Sequence, residues 1–334
     1  MLKLFRSWSL WLQLLIAFVL LLITIFFAIS LGAAVIPLQD VWHAIWSSEG
    51  GEKIDILREI RFPRVVAAVF VGAALAVAGA IMQGVTRNPL ADPGLLGLTS
   101  GANAALAIGL VLVPKLDYMS SVIACLIGAA VGMGIVYGIS ATSRKGMSPL
   151  KLVLAGAAVS MFLQAVADGT GLLFKISKNV SMWTSGGLQG ITWSAYIVMP
   201  LIIIALIGSI LISRQLTILS LNEELAVGLG QKTMQIKTIM FIIVVLLAGS
   251  AVALIGNLAF VGLMIPHIVR TFVGGDYRAV IPMSMIVGGM FMVIVDLIGR
   301  TMNAPYETPV VALVAVIGLP FFLILVKRGG RFFA

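Results

Sequence analysis

Residues 238–269 read TIMFIIVVLLAGSAVALIGNLAFVGLMIPHIV, a run with no Asp, Glu, Lys or Arg. A helix crosses the hydrocarbon core with ~20 apolar residues. The run is too long for one crossing and too apolar to lie outside lipid. Gly256-Asn257 is the natural break. It leaves one span at 235–255, interrupted only by Lys237, and another at 257–269.

The same pattern continues in both directions. Runs at 8–36, 65–86, 93–114, 118–143, 152–174, 193–213, 280–299 and 308–326 carry no charge except Asp168 and Asp296. The sequence therefore predicts an all-α polytopic membrane protein of about ten transmembrane helices, organised as one domain over 1–334. Composition agrees. Of 334 residues 60% are hydrophobic and 10% charged, against about 25% charged in a soluble domain. That excludes a soluble enzyme, a disordered chain and a secreted disulfide scaffold. Cys125 is the single cysteine, and His43 and His267 lie far apart, so neither a disulfide nor a metal site is expected. The first apolar run exceeds the 7–15 residues of a signal-peptide core, which favours a retained helix over cleavage near Ala33-Ala34.

Orientation follows from the basic residues. With the N-terminus in the cytoplasm, Lys3, Arg6, Arg87, Arg144, Lys145, Lys151, Arg214, Lys232, Lys237, Arg270, Arg278, Lys327, Arg328 and Arg331 face inward. They outnumber Lys53, Arg58, Arg61, Arg64, Lys115, Lys175, Lys178 and Arg300 outside, as the positive-inside rule requires. An even number of spans returns the C-terminus to the cytoplasm. The net charge of +9 is then mostly membrane anchoring, and no soluble basic face exists for nucleic acid. Small residues such as Gly72, Ala76 and Ala80, or Gly128, Gly132 and Gly138, suit close helix packing in lipid.

Four segments are too polar or too irregular for plain spans. Arg61-Phe62-Pro63-Arg64 is read as a helix start with Pro63 in its first turn; with Arg300 it forms a basic docking spot for an acidic protein surface, simple snorkelling being the alternative. Asn88-Pro89-Leu90-Ala91-Asp92-Pro93-Gly94 breaks the helix. Thr99, Ser100 and Asn103 follow it, which suits a wet cavity better than a plain turn. In 214–237, Asn222 is placed to cap a short helix opening with Glu223 and Glu224. Leu225 and Leu229 share one face of that helix, a knob for a partner's groove. The fourth segment, Gly256 to Arg270, contains Pro266 and His267, and the histidine is read as structural. Asp296 has Arg300 one turn away as a partner. Asp168 is assigned an internal hydrogen-bonding role ahead of a proton relay. The uncharged, glycine-rich stretch 179–192 reads as a short helix or re-entrant piece.

These segments, in this order, resemble the permease family of ATP-driven importers for iron–siderophore complexes, haem and vitamin B12. The match runs from about Arg58 to Arg328. It rests on the segments quoted above together with Gln83, Leu96-Gly97, Phe260-Val261-Gly262-Leu263, Trp183 with Gly186, and Gly318 with Pro320-Phe321-Phe322. The resemblance implies a type II importer permease fold in the bacterial plasma membrane. It implies a homo- or heterodimer of permeases, two cytoplasmic ATPase subunits and an extracytoplasmic binding protein. Arg61, Arg64 and Arg300 correspond to arginines that grip acidic residues of that binding protein. Leu221, Asn222, Glu223, Glu224, Leu225, Ala226, Gly228, Leu229 and Gly230 correspond to the coupling segment that enters the ATPase, although Asn222 stands where Gly is frequent and Gly228 where a larger residue is common. Asn88, Pro89, Asp92, Pro93, Gly94, Trp183, Gly186, Gly187, Pro266 and His267 are expected along the pathway or its gate, Ser181 to Trp193 matching a short helix near the outer gate. The chain has no GxxxxGK[ST] loop, so ATP and Mg are expected on the partner ATPases, with no catalytic residue, metal or cofactor here. The path is expected to be apolar and uncharged at mid-depth. Iron–siderophore is the expected cargo, with haem or B12 as alternatives. An ion-coupled secondary transporter using Asp168 or Asp296 is the rival reading.

Overall fold

The computed structural model describes residues 8–32, 36–47, 51–113, 116–141 and 149–327. Lys3, Arg6, Lys115, Arg144, Lys145, Arg328, Arg331 and the Ala33-Ala34 site lie outside them. The described residues are helical throughout, with elements α1 (Leu10–Ser30), α2 (Leu38–Trp46), α3 (Glu52–Thr86), α4 (Leu98–Leu112), α5 (Tyr118–Ala141), α6 (Pro149–Leu173), α7 (Ser177–Ser185), α8 (Met199–Leu211), α9 (Ser213–Leu221), α10 (Glu223–Gly228), α11 (Thr233–Ile255), α12 (Val261–Val273), α13 (Tyr277–Thr301) and α14 (Val310–Lys327). A 3-10 turn, Trp193–Val198, leads into α8.

Eight of these are long and apolar enough to cross a membrane: α1, α3, α5, α6, α8 with its 3-10 turn, α11, α13 and α14. Every expected run has its helix, but two are short. α4 has 15 residues and α12 has 13, so at 1.5 Å per residue each reaches only ~20 Å. They are half-helices, each preceded by irregular backbone at 87–97 and 256–260.

Helix α3 is the buried axis. Lipid supplies no hydrophobic drive between helices, so close backbone approach has to provide the contact. A Cβ on Gly72 would sit 2.2 Å from the Gly288 carbonyl oxygen of α13, and one on Gly79 would sit 1.9 Å from that of Gly262 in α12. The α4–α5 crossing repeats the device, with Gly101 against Gly128 and Gly97 against Gly132. Gly138, grouped with these in the sequence, faces open space.

The second segment of regular structure to differ from expectation is the start of α3. The helix begins at Glu52, not at Arg61, and passes through a π stretch, Ile56–Arg61, in which the Phe62 N–H reaches Leu57 O. The wider i→i+5 turn accommodates Pro63, which has no N–H to give.

That geometry also revises the arginines. Arg61, Arg64 and Arg300 are 6%, 6% and 4% exposed, so they are not an open basic rim. Arg64 Nε donates to Asp296 Oδ1 at 2.9 Å and Arg64 Nη1 to Glu307 Oε1 at 2.8 Å. Arg300 Nε lies 3.0 Å from Asp296 Oδ2, the partner expected from sequence. Arg61 Nη1 donates to Ile29 O at 2.7 Å, and Arg300 Nη2 to Ala28 O at 3.0 Å. These carbonyls belong to the unsatisfied last turn of α1, where cations are favoured. The cluster therefore ties α1, α3 and α13 together.

Replacing Asp296 by Asn would leave two buried guanidiniums short of charge. We expect it to destabilise the protein by about 3–5 kcal/mol, read as a lower heat-aggregation midpoint in detergent. Glu307→Gln, at a carboxylate whose side chain is 30% exposed, should cost clearly less. Gly79→Val should abolish folded protein on size-exclusion chromatography, whereas Gly134→Ala, which meets nothing within 4 Å, should be neutral or stabilising by up to about 1 kcal/mol.

Candidate functional site

The two irregular segments face each other. The Asp92 carboxylate accepts the Gly94 N–H at 2.8 Å and is hydrogen-bonded to the Phe260 backbone, so one side chain joins both breaks. Pro266 removes the donor that would have bonded Gly262 O in α12. Gln83 Nε2 of α3 replaces it, at 3.1 Å to Gly262 O and 3.2 Å to Leu263 O. Gln83 Oε1 in turn accepts from Arg270 Nη1 at 2.5 Å. Phe260 holds a left-handed backbone with φ +69°, and Gly318 makes room for it: a Cβ there would lie 2.5 Å from Phe260 Cβ.

Between the breaks and α6 lies a cavity of about 730 Å³, reached by Asp92, Asn103, Ser160, Gln164, Asp168 and Asn257 among others. Its size is that of a small-molecule site. The wall is mostly carbon, but it carries hydroxyls, amides and two carboxylates. Asp168 has a partner after all: Gln164 Nε2 donates to it at 3.0 Å. Ser160, Gln164 and Asp168 recur every fourth residue on one face of α6, a spacing visible in the sequence and not used there.

Of the expected pathway residues, Asp92 and Gly94 line this cavity. Asn88 and Pro89 form the turn before it, with Asn88 Oδ1 accepting the Leu90 N–H at 3.0 Å. Pro93 starts the 3-10 turn Pro93–Leu96. Pro266 acts through the backbone bond just described, and His267 packs its ring against Phe321 at 5.6 Å, in keeping with a structural histidine. Trp183, Gly186 and Gly187 line a separate cavity of about 380 Å³ at the C-terminal end of α11. There Gly187 N–H donates to Ile255 O at 2.9 Å, and a Cβ on Gly186 would collide with the same oxygen. The short helix in this region is α7, placed a little earlier than 179–192.

The opposite end carries the knob. Asn222 Oδ1 accepts the Glu224 N–H at 2.9 Å and caps α10 as the sequence predicts. Ala226 is buried beneath it, while Leu221, Leu225 and Leu229 are 72%, 58% and 70% exposed. Gly230 ends the segment with φ +80°. Three hydrogen bonds fix α9 and the α10 knob to the bundle. Lys237 Nζ of α11, itself buried, donates to Glu223 Oε1 at 2.5 Å. Thr217 of α9 donates to Asp276 Oδ1 at 3.0 Å and accepts the Tyr277 N–H at 3.0 Å, at the start of α13. Hydrogen bonds from the Arg278 side chain hold the Asp276 carboxyl below the usual range. Helix α9 was missed within 214–237, although Ser213, Leu216 and Leu219 bury one face at helical spacing.

The profile of the FecCD transport family matches residues 20–328. The chain is 45% identical over 316 residues to the iron(3+)-hydroxamate import system permease protein FhuB of Bacillus subtilis (strain 168), covering 93% of this chain and 82% of that protein. It is 36% identical over 330 residues to the hemin transport system permease protein HmuU of Yersinia pestis, covering 95% and 96%. Its fold is similar to a solved metal-chelate type ABC transporter in an inward-facing conformation, with TM-score 0.82 and 25% identity over 94% of this chain and 98% of that one. The chain belongs to the FecCD transport family.

Proposed function

We propose that this chain is the membrane-spanning permease subunit of an ATP-binding-cassette importer that carries iron–siderophore complexes across the bacterial plasma membrane. Cargo arrives from an extracytoplasmic binding protein. Two cytoplasmic ATPase subunits hold ATP and Mg, and a second permease completes the conduit. The observation that carries this reading is the path of α11. One end is bonded to the knob through Lys237 and Glu223, and the other meets Gly187 and leads into the break at 256–260. Its 23 residues span ~35 Å as a rigid rod. A displacement of α10 by an ATPase therefore reaches both the outer cavity and the central one. The named relatives import iron chelates and hemin, and the chelate reading follows the more similar of these two.

At Asp296 the ion-coupled alternative fits poorly. Asp296 lies between Arg64 and Arg300, and a carboxylate already neutralised by two guanidiniums has no field left for a cation. Docking of the binding protein at Arg61, Arg64 and Arg300 requires an incoming carboxylate to replace Glu307 at Arg64.

The assembled complex in proteoliposomes should take up iron–siderophore only with ATP inside and binding protein outside; uptake that follows a proton gradient without ATPase would reject the reading. Leu225→Asp with Leu229→Asp should release the ATPase on purification, since both side chains are exposed and the bundle does not need them. If docking uses Arg64, Glu307→Gln should tighten binding-protein association several-fold in surface plasmon resonance. An unchanged or weaker affinity would remove the cluster from the docking face.

A further inference from the structure

We infer that the central cavity sorts iron chelates by charge, admitting neutral and cationic complexes and opposing polyanionic ones, with Asp168 as the discriminating residue. The inference deepens the permease reading and rests on it.

Among the described residues, the cavity wall contains two carboxylates, Asp92 and Asp168, and no Lys, Arg or His. The two are not equivalent. Asp92 is buried, and its Oδ1 is engaged by the Gly94 N–H at 2.8 Å. Asp168 is exposed, and among the described residues it meets only the neutral Gln164 amide. It also lines a second cavity of about 350 Å³ between α6 and α7, so it stands where the two spaces adjoin. Lys175 and Lys178 lie beyond the end of α6, are exposed, and line neither cavity. A cargo moving between the two spaces therefore passes one uncompensated negative charge.

The wall is also built to hold a polar ligand. Ser100 is 7% exposed, reaches the central cavity, and its Oγ has no hydrogen-bond partner among the described residues. Ser160 Oγ, on the α6 face, is in the same state. Buried hydroxyls without partners are uncommon and call for a ligand or water. A chelate with outward carbonyl oxygens would satisfy them.

Chelate chemistry supplies the contrast. Three hydroxamates each give one negative charge to Fe(III), and the complex is neutral; a pendant amine makes it a cation. Three catecholates give two each, and the complex is a trianion. At cavity distances one carboxylate changes the occupancy of a singly charged cargo by about tenfold, and the effect on a trianion is larger.

The test uses one iron tris-hydroxamate in three forms: with a free amine, acetylated to neutrality, and succinylated to an anion. Uptake is measured in proteoliposomes holding the full complex, with each chelate at saturation of the binding protein, so the binding protein's own preference drops out. The wild-type complex should move the cation faster than the anion. Asp168→Asn should lower the cation-to-anion rate ratio about a hundredfold, tenfold from each of the two ions, and Asp168→Lys should invert it. Asp168→Asn preserves volume and decides the matter if the lysine variant does not assemble. A ratio unchanged in Asp168→Asn overturns the inference while leaving the importer reading standing. No ATP-dependent uptake of any form by the wild-type complex overturns the importer reading, and this inference with it.

Discussion

Backbone N–H and C=O groups at membrane depth have no water to bond with, so every break in a helix there must be repaired by protein. Two such breaks among the described residues, at 87–97 and 256–260, face each other and share their repairs. Asp92 bridges from the first to Phe260 in the second, and Gln83 bonds the Gly262 carbonyl that Pro266 frees and the Leu263 carbonyl beside it. Both repairs depend on α3 lying against α12 at Gly79 and Gly262 without intervening side chains. Widening that contact by one methyl would pull Gln83 away from its carbonyls and leave polar backbone in a dry interior. The half-helices α4 and α12, and the cavity between their starts and α6, follow from this one approach.

The remaining architecture arranges charge around that centre. At one end the Arg64–Asp296–Arg300 cluster holds α1, α3 and α13 together and takes up the terminal carbonyls of α1. At the other, Lys237 and Asp276 carry the α9–α10 knob on α11 and α13. In the proposed mechanism, motion imposed on the knob would be carried by α11 and would reach Gly186, Gly187 and Gly256 at its far end. Rigid rods joined at glycine-rich ends suit alternating access around a fixed site.

Much of this was legible in the sequence because it depends on local rules. Charge-free runs locate the spans, Asn222 with Glu223 and Glu224 locates the capped knob, and Asn88-Pro89 with Asp92-Pro93 marks a broken segment. Long-range pairing was not legible. Arg64 was read without an intrachain partner because Asp296 and Glu307 lie more than two hundred positions away in the chain. The true start of α3 was hidden because Pro63 signals a first turn, and here a π stretch places it deeper inside the helix. Gln164 is different: it stands one turn from Asp168 and could have been read as its partner.

The central claim is that the facing breaks and α6 form the wall that cargo touches. It can be tested with cysteines introduced singly at Asn257 and at Ser160 in a Cys125→Ser background, followed by the rate of alkylation in the assembled complex. Both positions should react with a membrane-impermeant maleimide, and bound iron chelate should slow the reaction at both. Cysteines at these positions that stay unreactive throughout the ATP cycle, or react at the same rate with and without chelate, would contradict the account.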